Sequence, residues 1–514
     1  MKAKRGGRES TNGGSAMKKV KRAVLAYSGG LDTSIIVPWL REHYGCEVVC
    51  YCSDVGQGAE LVGLEARARK SGAKEVVVED LRLPFVRDFC FPALRAGAIY
   101  EGSYLLGTSL ARPLIASRQV ACAMKVGADA LAHGCTGKGN DQVRFELAYL
   151  ALAPQLAVIA PWREWDIVSR EDALAYAEKH GIPVPIKKGD LFSRDANLWH
   201  LSHEGGPLED PANVAPDTLY KLSANPDRQP ARPETVRIRF EHGVPVALDG
   251  KALGPVELVQ ELNAIAGRHG VGRADLVESR LVGMKSRGVY ETPAGTVLYE
   301  ALEDLCRLVL PHDLLRTRAE LAPRMADLIY NGQWFSPLRE SLQAFVDKAL
   351  ENADGEETVE LFHGQARAVA RTSPKTLHRP DLASFDMTGY DAGHAEGFIR
   401  LFGLPLATAA RRDAESRSSK AAPGASKAAS RGEERSDALE ARGGTRRSAL
   451  RGARRSQDGG AERAARSSSP LEAAPGASTA RSSSPLEAAP GAGTARSSSP
   501  RKAAPGARKT SRVR

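Results

Sequence analysis

The sequence predicts an α/β protein: an N-terminal doubly wound parallel sheet, then a second α+β domain, then a low-complexity basic tail. Three observations predict it. Short apolar runs alternate with helical patterns through about the first 160 residues, the mark of parallel strands covered on both faces. From about Ile182 the pattern turns irregular, with strands and helices mixed. After about Leu406 the composition shifts to Ala, Ser, Arg, Gly and Pro, and Arg-Ser-Ser-Ser-Pro recurs at Arg466, Arg481 and Arg496. That repeat has too little to bury, so disorder is expected there. The expected segments are a disordered leader over 1–22, domains over 23–181 and 182–406, and a tail over 407–514.

In chain order, strands are expected over Ala23–Tyr27, Glu47–Cys52, Glu75–Glu79, Ala128–His133 and Leu156–Ala160. Helices are expected over Thr33–His43, Ala59–Ser71, Pro113–Val126 and Gln142–Leu152. Pro38, inside the first helix, costs a backbone hydrogen bond there. In the second domain the strands are Val236–Phe240, Val244–Leu248 and Thr358–Leu361, and the helices Val256–His269 and Leu338–Glu351.

The formal charge of +10 points to a polyanion partner only if it lies on the folded body. It does not. Residues 411–514 carry 23 Lys and Arg against 10 Asp and Glu, residues 1–22 carry 8 against 1, and the stretch between is acidic. The seven cysteines form no CxxC pair and no Cys/His ligand spacing, which predicts a reducing, cytoplasmic setting and no metal site. The leader lacks a signal peptide's apolar run, and no stretch is long and apolar enough for a membrane span.

The sharpest local signal is Ala26-Tyr27-Ser28-Gly29-Gly30-Leu31-Asp32-Thr33-Ser34, between an apolar strand and a helix. Two glycines let the backbone approach a ligand, hydroxyls donate, and the free N–H groups of a helix start attract an anion. Phosphate binding is the chemical reading; an ordinary strand-to-helix turn is the bland one. A second cluster runs from Tyr100 to Pro113 and includes Tyr104, Ser109 and Arg112 ahead of a helix opened by Pro113. It suits a zwitterionic amino acid, and an N-capping turn explains it equally. A third, His133 to Glu146, packs Thr136, Lys138, Asn140, Asp141 and Arg144 behind a strand. Ligands in open α/β sheets sit at the carboxyl ends of strands, which sends the first and third loops to one crevice.

The first motif resembles the pyrophosphate loop of the ATP pyrophosphatase (PP-loop) group. The three motifs in this order, with Ala160-Pro161-Trp162-Arg163, Asn197-Leu198-Trp199-His200, Leu208-Glu209-Asp210-Pro211 and Gly283 to Thr296, resemble the argininosuccinate synthetase family. The resemblance covers about Ala23 to Leu401. It implies a nucleotide-binding domain followed by a synthetase and multimerisation domain, and ATP-dependent ligation of citrulline and aspartate through a citrullyl-AMP intermediate, in arginine biosynthesis. By the same resemblance ATP meets Ala26, Tyr27, Ser28, Gly29, Gly30, Leu31, Asp32, Thr33 and Ser34, the backbone at Ser53, and Gly134. Citrulline meets Tyr104, Ser109, Asn140, Arg144, Ser193, Ser202, Glu278 and Tyr290; aspartate meets Thr136, Asn140 and Asp141. Asp32 and Lys138 are the expected catalytic residues, Mg²⁺ accompanies the nucleotide, and a homotetramer is implied.

Two rivals stand beside that reading. A tRNA-modifying member of the group would use the basic tail to hold RNA, but the paired cysteines of sulfur transfer are missing. A binding or scaffolding protein would act through the tail alone, over a decayed site. Nucleic acid on the tail is not favoured, because the repeats offer no aromatic residue for base stacking.

Overall fold

A computed structural model describes residues 20–137, 139–183, 191–385 and 389–420. Most of the expected leader, Lys138, and the expected tail beyond Lys420 lie outside the described residues.

Five parallel strands form the first sheet: β1 (Arg22–Ala26), β2 (Glu47–Asp54), β3 (Glu75–Asp80), β4 (Ala130–His133) and β5 (Ala157–Ile159). Their order is β3-β2-β1-β4-β5. Strand residues alternate between two apolar layers. Leu25, Val48 and Cys50 pack with Ile36, Val37 and Leu40 of α1 (Leu31–Tyr44) and with Leu64 and Ala68 of α2 (Leu64–Lys70). Val24, Val49 and Leu131 pack on the other face, with Ala116, Val120 and Ala123 of α3 (Gly107–Val126) and Phe145, Ala148 and Tyr149 of α4 (Asp141–Leu152). Both faces are thereby covered, as near-continuous apolar strands require. A reciprocal Ser169–Asp172 capping box starts α5 (Arg170–Lys179).

Four details depart from expectation. Val20 is buried, and the backbone N–H groups of Lys21 and Arg22 donate to Asp129, so 20–22 belong to the body rather than to the leader. The helix expected over Ala59–Ser71 splits at Gly63, whose φ of 70° ends a short turn before α2 begins. Pro113 does not open α3 but lies inside it, six residues after Gly107. The backbone reverses at Leu106 with φ 64°, an uncommon conformation for a residue with a Cβ, and this starts the helix early. Finally, a helix over Leu404–Lys420 extends through residues expected to be disordered.

The second part holds two antiparallel sheets. One runs β11-β12-β7-β6, with β6 (Ser193–Ala196), β7 (Leu201–Glu204), β11 (Arg273–Ser279) and β12 (Lys285–Glu291). The other runs β10-β9-β8-β13-β14, with β8 (Glu234–Glu241), β9 (Val244–Leu248), β10 (Lys251–Ala252), β13 (Gly355–Phe362) and β14 (Gln365–Thr372). Val236, Ile238 and Phe240 of β8 alternate inward. They meet Leu258, Val259 and Leu262 of α6 (Pro255–Arg268) and Leu298, Leu302 and Leu305 of α7 (Pro293–Val309). Next come α8 (His312–Tyr330) and α9 (Pro337–Ala349). Later, α10 (Gly393–Phe402) leaves Phe398, Ile399, Leu401 and Phe402 exposed. The helix α11 (Leu404–Lys420) continues past residue 407, because 406–420 contains neither Gly nor Pro and is rich in Ala and Arg. No helix among the described residues is long and apolar enough to cross a membrane.

Candidate active site

The strand order reverses between β1 and β4, because the chain goes from β1 outward to β2 and β3 before crossing back to β4. The carboxyl ends of β1 and β4 therefore flank a crevice. Ser28 to Gly30 leave β1 there. Gly29 has φ 77°, Ser28 Oγ lies 3.1 Å from Thr33 Oγ1, and Tyr27 Oη lies 3.0 Å from Ser34 Oγ. No side chain caps α1 at Gly30, so its first-turn N–H groups stay available for an anion. Asp32 is half-buried at that helix start; burial raises its carboxyl, and Arg170 pulls it back.

The loop after β4 packs directly on the first. A Cβ added to Gly134 would meet Thr33 Cγ2 at 2.9 Å, so only glycine admits this approach. At the loop's other end Asn140 is fixed by its amide: Nδ2 donates to Tyr330 Oη at 2.8 Å, and Oδ1 accepts from Leu281 N at 2.9 Å. One loop thus touches both the Ser28–Ser34 turn and a second cluster of charged and phenolic side chains, the candidate pocket.

That pocket gathers six of the expected residues. The Tyr104 and Tyr290 rings stack with centroids 4.3 Å apart. Burial pushes the Tyr104 phenol up to about 12, which keeps it protonated as a donor. Glu278 accepts from Tyr290 Oη and from Tyr330 Oη, each at 2.8 Å. Ser202 faces Tyr290 on one side and Asp195 on the other in the sheet register. Arg144 donates through Nε to the Tyr330 carbonyl at 2.9 Å and through Nη1 to Asp141 Oδ1 at 2.8 Å. Asp141 Oδ2 accepts from Arg112 Nε at 2.9 Å, and Arg112 continues to Asp195 Oδ2 at 3.0 Å. Burial works against the Asp141 charge, but Arg112 and Arg144 hold its carboxyl below the ordinary aspartate value. A carboxylate between two phenols and a guanidinium fixed on two sides suit the two ends of a zwitterion.

Ser109, in the first turn of α3, is fully buried, and its Oγ has no hydrogen-bond partner among the described residues. Thr136 and Ser193 stay exposed, bonded to none of the pocket residues. Ser53 is the second-to-last residue of β2, and its carbonyl already accepts from Gln57 Nε2 at 2.6 Å. Cys135, in the binding loop, has its thiol raised by burial, which makes it a poor nucleophile rather than a reactive one.

Sequence reasoning assigned no role to Tyr330, Asp195 or Thr108, and it left the Arg112 cluster open between a zwitterion site and an N-capping turn. Thr108 Oγ1 donates to Asp195 Oδ2 at 2.7 Å and lies 3.1 Å from His200 Nε2. Burial lowers His200 to about 4, so it is neutral near pH 7. The Asn197–His200 turn also steadies α3 by donating Asn197 Nδ2 to the Gly107 carbonyl at 3.3 Å and Trp199 Nε1 to the Leu105 carbonyl at 3.0 Å.

A helix start with free N–H groups at the switch point, joined by one loop to a cluster of paired charges and phenols, is the layout of an α/β enzyme whose ligands meet at the carboxyl ends of its strands. Residues 22–183 match the Arginosuccinate synthase N-terminal HUP domain, and 192–409 match the Arginosuccinate synthase C-terminal domain. The chain belongs to the argininosuccinate synthase family and is an ATP-dependent carbon–nitrogen ligase. It is 57% identical over 390 residues to the chloroplastic argininosuccinate synthase of Arabidopsis thaliana, covering 76% of this chain and 79% of that one. It is 57% identical over 401 residues to the argininosuccinate synthase of Roseiflexus sp. (strain RS-1), covering 78% and 98%. With that of Thermoanaerobacter sp. (strain X514) it shares 54% over 391 residues, 76% and 95% of the two chains. Among solved structures, the U34-tRNA thiolase NcsA of Methanococcus maripaludis aligns with 35% of this chain and 63% of its own at 16% identity, with a TM-score of 0.23, too low to bear on function.

Proposed function

We propose that the Ser28–Gly30 turn and the start of α1 take the pyrophosphate end of ATP, while citrulline occupies the Tyr104–Tyr290–Glu278–Arg144 pocket and aspartate enters beside Thr136, Asn140 and Asp141. The observation that carries this is the Gly134–Asn140 loop, which lies against Thr33 at one end and is bonded to Tyr330 at the other. That contact supports two adjoining sites. The citrulline ureido oxygen then bonds to the α-phosphorus as the α–β phosphoanhydride breaks, and pyrophosphate departs into the turn. The aspartate amine next bonds to the ureido carbon, loses a proton, and AMP leaves with the former ureido oxygen. Alignment of this kind is worth roughly 7–11 kcal/mol.

A Mg²⁺ brought by the nucleotide would be held by its phosphates and by one or two protein carboxylates. Asp32, half-buried at the turn, fits that place. The loop N–H groups would stabilise the charge of the leaving pyrophosphate, Lys138 would do so as the family resemblance implies, and the ion would supply further charge neutralisation there. We assign the chain to a reducing, cytoplasmic setting, on its seven unpaired thiols.

The test is exchange of radiolabelled pyrophosphate into ATP. Exchange that requires citrulline and Mg²⁺, with argininosuccinate formed once aspartate is added, is the expected result; exchange independent of citrulline would overturn the assignment of the pocket. We also propose a homotetramer, supported by the exposed apolar side chains on α10. Light scattering is expected to give four chains, and a monomer would end that reading.

A further inference from the structure

Tyr330 stands outside the residues assigned above, yet it holds three of them. Its hydroxyl donates to Glu278 Oε1 and accepts from Asn140 Nδ2, both at 2.8 Å. Its carbonyl accepts from Arg144 Nε at 2.9 Å, and the Arg144 guanidinium lies over its ring, 4.9 Å from the centroid. On its own side the ring is pinned by Tyr100, stacked at 3.6 Å with planes 5° apart. Tyr330 itself is fully buried.

A second observation comes from the turn that follows. Gly332 has φ 76°, and a Cβ there would lie 2.6 Å from Arg144 Cα. The end of α8 is therefore docked on the backbone of Arg144 as closely as glycine alone permits.

We propose that the C-terminal turn of α8, Tyr330 to Gly332, is the positioning element of the citrulline pocket, with Tyr330 as its positioning residue. This rests on the pocket being the citrulline site. Through one phenol the turn orients the carboxylate that meets the substrate's ammonium. Through one carbonyl and one glycine it orients the guanidinium that meets the substrate's carboxylate. Both ends of the amino acid are thereby registered against a single rigid helix end, which fixes where the ureido group falls relative to the nucleotide. Because α8 belongs to the second part of the chain and Arg144 to the first, the pocket is set only when the two are packed together.

Steady-state kinetics of Tyr330→Phe, with each substrate varied in turn, tests this. Losing a hydrogen bond to a charged group is expected to raise the citrulline KM at least about tenfold. The ATP KM should stay unchanged, and the aspartate KM should move less, since Leu281 still holds Asn140. The melting temperature should change little. Gly332→Ala should reproduce the citrulline-selective rise through Arg144. Equal rises for all three substrates, or an unchanged citrulline KM in Tyr330→Phe, would overturn the proposal. Glu278→Gln separates the two levels of inference. If it raises the citrulline KM and Tyr330→Phe does not, the positioning role is wrong and the pocket stands. If neither variant affects citrulline, the pocket assignment has failed as well.

Discussion

Asp141→Asn is expected to lower kcat/KM for citrulline and for aspartate together, by about 100-fold or more. Asp141 is the shared counter-charge of two guanidinium groups, with one oxygen for Arg112 and the other for Arg144. Arg112 keeps Asp195 when Asp141 is neutralised, but Arg144 keeps no counter-charge, only the Tyr330 carbonyl and ring. Asparagine matches the shape of aspartate while turning an amide N–H₂ toward one guanidinium, so donor faces donor where an ion pair stood. Breaking one partner of a buried pair typically costs about 3–5 kcal/mol. The wild-type Asp141 carboxyl is held below the ordinary aspartate value, so it stays ionised and the gap between the two proteins should not change from pH 6 to 9. Steady-state rates across pH 6 to 9, with both amino acids varied, check this. A loss under threefold for either one would mean that Asp141 serves only to pack the loop.

Much of this network was legible in sequence, and the reason lies in where each residue sits. The Ser-Gly-Gly turn is local: glycines, hydroxyls and a helix start occur within nine consecutive residues, so its chemistry is written in one window. Asn140, Asp141 and Arg144 are likewise local to a loop and the first turn of α4. The strands of the parallel sheet were legible because both faces are buried and the runs are unbroken. Tyr330 was not legible, since a tyrosine ending an amphipathic helix reads as ordinary core, and only packing of distant segments brings it to Glu278. The role of Arg112 stayed open for a related reason. A lone arginine near hydroxyls suggests a ligand carboxylate, but the fold supplies two carboxylates of its own, from Asp141 and Asp195. Pro113 misled in another way: proline commonly opens helices, and only the unusual backbone at Leu106 reveals that this one began earlier.

Glu291→Gln is expected to lose about 3 kcal/mol of stability, and several degrees of melting temperature, at neutral pH. Glu291 ends β12, one residue past Tyr290, and is fully buried. Its carboxylate accepts from His203 Nε2, from the backbone N–H groups of Lys221, Leu222 and Ser223, and from Ser223 Oγ, at 2.7–2.8 Å. Glutamine offers one oxygen and places a donor among donors, so at least two of these groups lose their partner while remaining buried. Burial disfavours the charge, but those donors win and hold the carboxyl below the ordinary glutamate value. A depressed carboxyl contributes stability that is present above its unfolded value and is lost as the pH falls through its folded one. The gap between the two proteins should therefore be constant from pH 6 to 8 and shrink at lower pH as the wild-type residue takes up its proton. Thermal melts at pH 7 and pH 4 test both parts; equal midpoints at pH 7 would show that the five donors find other partners. Because Glu291 also fixes the end of the strand that carries Tyr290, the variant at temperatures where it is folded should show a higher citrulline KM, with the ATP KM unaltered.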